Sequence, residues 1–339
     1  MSSPGSIHQT TTPTIGVFDS GFGGLTVLRA LIRRAPQARF AFIGDTARLP
    51  YGSKSRRTIA RYAAESARFL VEEQGADYLV IACNTASALA LDAIQEAVSS
   101  SVTVIGVIEP GAEAARRASK TGDVLVIATD ATVHSHAYAE ACRARGLRAL
   151  EKACPLLVPL VEEGWIDVAR AAGAGADQVL TATGASAAQA ASAPPQVAAS
   201  APPQVAASAT PQVARGANSQ QVAVTAEVFR VYFSELTAQA ASLGMNPDAL
   251  VLGCTHYPLL KPLIEREIPA SMRIIDSAES VADKLVMFLC NDLAAPPPPP
   301  YPETILRCFA TDSVEKFERL GSRFLGQPVG NVQLVDLGG

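Results

Sequence analysis

Cys83 and Cys254 sit in near-copies of one phrase, LVIACNTAS and LVLGCTHYP, each where an apolar strand gives way to a polar turn. In an open α/β sheet ligands bind in the crevice at the carboxyl ends of the strands, so both thiols are expected to point into binding crevices. If those crevices face one another, a ligand lies between two sulfurs. Each cysteine is followed by Asn or Thr donors, and Thr85 and Thr255 stand at expected helix starts. There the helix dipole favours a thiolate, below the ordinary thiol pKa of about 8.5. His256, two residues after Cys254, is placed to orient that thiol or to share its proton. Taken singly, either cysteine reads as an inert buried thiol; the matched pair argues for chemistry.

A second polar cluster opens the chain. Asp19, Ser20 and the glycines of FDSGFGG form a strand-to-helix turn whose free backbone N–H groups would suit a carboxylate or phosphate. Asp19 reads equally well as a turn-forming aspartate and as a catalytic one, and Ser20 as a helix cap. A dinucleotide site is the rival reading, with Asp45 as the ribose-binding acid, but GFGGLT lacks the third glycine of that fingerprint and no P-loop is present. The stretch GDTARLPYGSKS, Gly44 to Ser55, packs polar groups and a Pro-Tyr-Gly turn into one loop.

The elements that must position these groups alternate. Apolar runs at Thr14–Phe18, Phe40–Ile43, Tyr78–Ala82, Val102–Val107, Val124–Ala128, Ala249–Gly253 and Met272–Ile275 predict buried parallel strands. Leu25–Ala35, Ser55–Gln74, Ala86–Val98 and Gly111–Ser119 predict helices between them, which implies an α/β fold of doubly wound sheets with right-handed crossovers. At 339 residues and 48% hydrophobic content, two domains are expected.

The net charge of −4 gives no whole-chain basic field for nucleic acid. The absence of an apolar leader or membrane-length run predicts a cytoplasmic protein with no membrane partner. Six cysteines with no CxxC spacing predict free thiols and no metal site. Residues 1–13 are expected to be a disordered N-terminus. From about Ala171 to Gln220 the sequence turns to Ala, Ser, Pro, Gln and Gly with three tandem eight-residue units, which predicts a disordered surface insertion. The tract Pro296–Pro300 reads as a stiff spacer.

The blocks IGVFDSGFGGLTVL, GDTARLPYGSKS, IACNTAS, IATDATVHSHAY, CPLLVPLVEEG, VLGCTHYPLL and IDSAESVA occur in the order found in glutamate racemases, and the resemblance runs from about Thr14 to Gly326. It implies two α/β domains related by a pseudo-twofold axis, with the active site between them. The first domain would be 14–108 plus 277–339 and the second 109–276, which carries the insertion. It implies cofactor-independent interconversion of L- and D-glutamate for peptidoglycan synthesis, with no metal or other cofactor. Cys83 would deprotonate D-glutamate and Cys254 L-glutamate, assisted by Asp19, His256 and Glu162, with Glu163 the neighbouring alternative to Glu162. Asp19, Ser20, Pro50, Tyr51, Gly52, Ser53, Asn84, Thr85, Thr132, Thr255 and His256 match substrate-holding positions, with Thr129 beside them. Such a reaction needs one base to take the α-proton and an acid to return another to the opposite face. His256-Tyr257-Pro258 after the second cysteine motif favours glutamate over aspartate. A cysteine-nucleophile hydrolase or lyase on the same scaffold is the alternative. Members of such families differ in whether they form homodimers and whether a small-molecule effector regulates them, and the resemblance leaves both open.

Overall fold

A computed structural model describes residues 12–166, 219–292 and 305–338. Residues 1–11 of the N-terminal segment, residues 171–218 of the insertion and Pro296–Pro300 lie outside the described residues.

The predicted apolar runs form strands β1 (Thr14–Asp19), β2 (Arg39–Gly44), β3 (Tyr78–Ile81), β4 (Thr103–Gly106), β5 (Asp123–Ala128), β7 (Ala249–Gly253) and β8 (Arg273–Asp276). Three more, β6 (Arg148–Ala153), β9 (Leu306–Ala310) and β10 (Val332–Leu334), fall where no apolar run predicts a strand. All pairings are parallel, in a six-stranded sheet of order β10-β9-β2-β1-β3-β4 and a four-stranded sheet of order β6-β5-β7-β8. The run β2-β1-β3-β4, from the middle of the larger sheet to its β4 edge, is repeated in order by β6-β5-β7-β8. This repeat is the pseudo-twofold relation at the level of topology. Strands β1, β3, β5 and β7 are buried throughout, because crossover helices cover both faces of each sheet.

The helices depart from expectation at three places. Helix α1 (Leu25–Arg34) is as predicted, but α2 (Arg56–Arg68), capped by Ser55 Oγ accepting from Thr58 N, continues as a π-helical turn over Phe69–Glu73. Phe69 and Leu70, within that turn, are both buried in the core. The single helix expected over Ala86–Val98 is two, α3 (Asn84–Leu89) and α4 (Leu91–Ala97), because Ala90 leaves helical geometry between them. Helix α5 (Ile108–Ala118) starts before Gly111.

The two units are joined by more than the chain. The helix Ser277–Asp292 follows β8 of the four-stranded sheet but packs against α1 of the six-stranded unit as well as α5. Beyond it, the helix Val314–Leu325 lies against α1, and Gly326 at φ +80 closes it in the left-handed conformation that glycine adopts without a Cβ penalty.

Candidate active site

Register brings the two cysteines to equivalent places. Phe18 pairs with Ile81, so the next step out of the sheet sets Ser20 beside Cys83; Ile127 pairs with Leu252, which likewise sets Thr129 beside Cys254. The sulfur of Cys83 donates to Ser20 Oγ at 3.4 Å, as that register requires. A cavity of about 470 Å³ lies between the units and is lined by both sulfur-bearing residues. Ser20, Pro50, Tyr51, Gly52, Ser53, Asn84 and Thr85 enter it from the six-stranded unit, and Thr129, Glu162, Thr255 and His256 from the four-stranded one. Asp19 and Thr132 stand behind the wall, 1% and 0% exposed.

The two sulfurs have different surroundings. Cys254 Sγ lies 3.9 Å from His256 Nδ1, and His256 Nε2 lies 3.0 Å from Glu162 Oε1. Burial would neutralise this imidazole, but contacts with Cys254 and Glu162 outweigh it and raise its pKa to about 10. A protonated ring therefore stands against the Cys254 sulfur at neutral pH. The same contact holds the Glu162 carboxyl below its ordinary range against the opposing effect of burial. Glu162, at the end of the helix Leu157–Glu162, makes this contact, while Glu163 is exposed.

At Cys83 the outcome is reversed. The sulfur caps α3 and accepts from Ala86 N at 3.5 Å, yet burial and the nearby Asp19 push the thiol up to about 12. The expected depression by the helix dipole is corrected here: desolvation and a like charge outweigh the contacts with Ser20 and Ala86 N. Thr255 also begins no helix. It stands in a turn, and only a short 3-10 turn follows from Tyr257 to Leu260, with Pro258 at its start.

Asp19 accepts from Gly21 N at 3.0 Å through Oδ2, while its buried Oδ1 has no protein partner. Burial raises its pKa, opposed chiefly by the His256 charge. The glycine turn does not form the anion cradle expected from sequence. The Gly21 N–H is taken by Asp19, and a Cβ at Gly23 would stand 2.1 Å from Thr255 Oγ1. The glycine is there to let the first loop touch the Cys254 loop. Ser20 faces Cys83 and does not cap α1, whose N-cap is Gly24.

Asp45 binds no ribose: it is fully buried and accepts from Tyr51 OH, Arg48 Nε at 2.8 Å and Thr311 Oγ1 at 2.9 Å. These bonds fix the 49–53 loop that forms one wall of the cavity. Across the cleft, Thr85 Oγ1 meets Thr129 Oγ1 at 2.9 Å and Thr132 Oγ1 at 3.3 Å, closing a triangle of hydroxyls. Sequence reasoning missed Leu49, Asp130, Pro155, Val158, Pro159 and Lys316 as lining residues. Nothing local in the sequence marks Lys316, which reaches the cleft from the helix Val314–Leu325.

The sequence profile of the family described as Asp/Glu/hydantoin racemase matches residues 15–193. A glutamate racemase of Koribacter versatilis is 44% identical over 348 aligned residues, covering 96% of this chain and 98% of its own length. The chain belongs to the glutamate racemase family. Among solved structures, a glutamate racemase isoform of Bacillus anthracis is 31% identical with a TM-score of 0.71, covering 96% of this chain and 98% of that one. The Francisella tularensis glutamate racemase in complex with D-glutamate is 29% identical, also at 0.71 and with the same coverage. Membership in the glutamate racemase family makes the chain an amino-acid racemase on a two-unit α/β fold. No described helix is long and apolar enough to cross a membrane, and the described residues hold no cluster of three or more His, Cys, Asp or Glu fit for a metal.

Proposed function

We propose that this racemase interconverts L- and D-glutamate by passing protons between the substrate and two thiols, one on each wall of the cleft. The observation that carries the reading is the placement of Cys83 and Cys254 at equivalent register positions of two repeated sheets, both lining one cavity. Glutamate rather than aspartate is supported by relatives named as glutamate racemases across nearly the whole chain.

In the forward direction Cys254 as thiolate takes the α-proton of L-glutamate, and the electron pair left on the α-carbon takes a proton from the Cys83 thiol on the opposite face. The reverse reaction exchanges the roles. The two walls differ in charge: the His256 cation stands against the Cys254 sulfur, while burial and Asp19 hold Cys83 protonated. Glu162 keeps that imidazole charged. The α-proton is far less acidic than a thiol, so charge building on the α-carboxylate must be met by preorganised donors. Ser20, Asn84, Thr85 and Thr255 supply them, with Gly52 and Ser53 on the loop that Asp45 fixes. Exclusion of water strengthens each of these contacts.

We assign residues 14–108 plus 277–339 to one closing domain and 109–276 to the other, and D-glutamate for cell-wall synthesis in the cytoplasm as the product's use. The test is turnover of L-glutamate, D-glutamate and both aspartates by circular dichroism with no added cofactor. Racemisation of glutamate with little or none of aspartate supports the reading. Turnover of aspartate alone, or of neither, sinks it.

A further inference from the structure

Tyr138 belongs to none of the roles above, yet it touches the machinery from behind. It lies on the helix Ala137–Arg143, is completely buried, and donates its phenolic O–H to Asn84 Oδ1 at 2.7 Å. This bond crosses from the four-stranded unit to α3 of the six-stranded unit. Asn84 follows Cys83 directly and lines the cavity.

A side-chain amide has two faces of opposite character, an oxygen that accepts and an NH2 that donates. An amide oxygen turned toward a carboxylate repels it, whereas the NH2 binds it. The Tyr138 hydroxyl engages the oxygen and so leaves the NH2 for the cavity. We propose that Tyr138 is a positioning residue that fixes the Asn84 amide with its donors toward the substrate carboxylate, an inference that rests on the glutamate reading.

The surroundings fit a fixed donor. Ser277 and Tyr138 both crowd the same glycine, Gly111, so the phenol sits in a tightly packed pocket. Burial, joined by the neighbouring Cys142, keeps the phenol protonated far beyond the working pH range. The ring is wedged between glycines. A Cβ at Gly111 would stand 3.3 Å from the phenol oxygen, and one at Gly253 3.1 Å from the ring edge. That leaves the ring little room to carry its hydroxyl away from Asn84.

The test is a double-mutant cycle of Tyr138→Phe and Asn84→Ala, read as kcat and KM for both enantiomers in the full-length enzyme. D-glutamate binding is followed in parallel through its effect on Tm. Tyr138→Phe keeps the ring and should keep the fold. Loss of one hydrogen bond predicts a roughly tenfold rise in KM for both enantiomers, with a smaller change in kcat. In the Asn84→Ala background the same change should cost nothing further. A Tyr138→Phe loss of equal size in both backgrounds would show that the ring acts through packing, and an unchanged KM would also overturn the proposal. If Tyr138→Phe lowers Tm enough to obscure the kinetics, Gly111→Ala serves instead, because its added carbon would stand 3.3 Å from the phenol oxygen and crowd the hydroxyl off Asn84. It should raise KM in the Asn84 background and leave the Asn84→Ala background alone, and equal effects in both would overturn the proposal. Wild-type enzyme measured alongside separates the two readings, since absence of both turnover and glutamate-dependent stabilisation there removes the glutamate assignment and this inference with it.

Discussion

A methyl group added at Gly23 would stand 2.1 Å from Thr255 Oγ1, 2.7 Å from His256 Nδ1 and 2.8 Å from Thr255 Cβ. The hydroxyl can rotate away, but Thr255 Cβ moves only with its backbone. Non-bonded carbons rest about 3.5–4.0 Å apart, so the loop after β1 and the Cys254 loop must separate by roughly 0.7 Å or more. That displacement is applied to the segment holding Cys254 and its histidine. A misplacement on the order of 1 Å costs about 100-fold in rate, whereas overpacking of this kind costs about 1–3 kcal/mol of stability. Gly23→Ala should therefore fold, with a lowered Tm, and lose about two orders of magnitude in kcat/KM for both enantiomers. Gly75→Ala is the control. That glycine has φ +67 and no atom within 4 Å of the added carbon, so it should show backbone strain of about 1–2 kcal/mol and unchanged turnover. The assay is circular dichroism of glutamate with thermal melts of each variant. Wild-type turnover by Gly23→Ala would refute the claim that this close approach sets the Cys254 geometry.

Four further outcomes follow from the site. Raised to about 10, the His256 pKa predicts that turnover of L-glutamate persists into alkaline pH and fails as the ring loses its proton; Glu162→Gln should move that fall to lower pH in a pH–rate profile. The same group links stability to pH: its contribution is complete below the ordinary histidine value of 6.5 and is lost as pH rises through about 10, which melts of wild type and His256→Asn across that window would show. Asp45→Asn leaves the largely buried Arg48 short of a charge partner and frees the 49–53 loop, so a loss of about 3 kcal/mol in denaturant unfolding and a raised KM are expected. Lys316 helps hold the Glu162 carboxyl low, so Lys316→Ala should move the acid limb of the pH–rate profile to higher pH.

The strands that carry the chemistry were legible because crossover helices bury both their faces, which leaves β1, β3, β5 and β7 as unbroken apolar runs ending at Asp19, Cys83, Thr129 and Cys254. Strand β6, with Arg148, Glu151 and Lys152 in six residues, is an edge strand whose side chains answer to solvent and to neighbours such as Glu235, so no apolar pattern marks it. Strand β10 is a three-residue edge and gives no pattern to read. At the site, the His256–Glu162 pair joins residues 94 apart, and Lys316 arrives on an amphipathic helix whose sequence specifies only its buried stripe. Such contacts exist only once the fold exists. The protonation of Cys83 was hidden for the same reason: a helix start suggests a low thiol pKa, but burial depth and Asp19 decide it.

The central claim is that two thiols on opposite walls exchange protons with one substrate. Its most direct test is the early turnover of L-glutamate in deuterium oxide by wild type, Cys83→Ala and Cys254→Ala, with α-deuterium read separately in substrate and product. The account predicts D-glutamate that carries solvent deuterium, a substrate pool still largely protiated, and no racemisation by either variant. Product that retains the substrate's own α-proton, or near wild-type turnover by either variant, would contradict it.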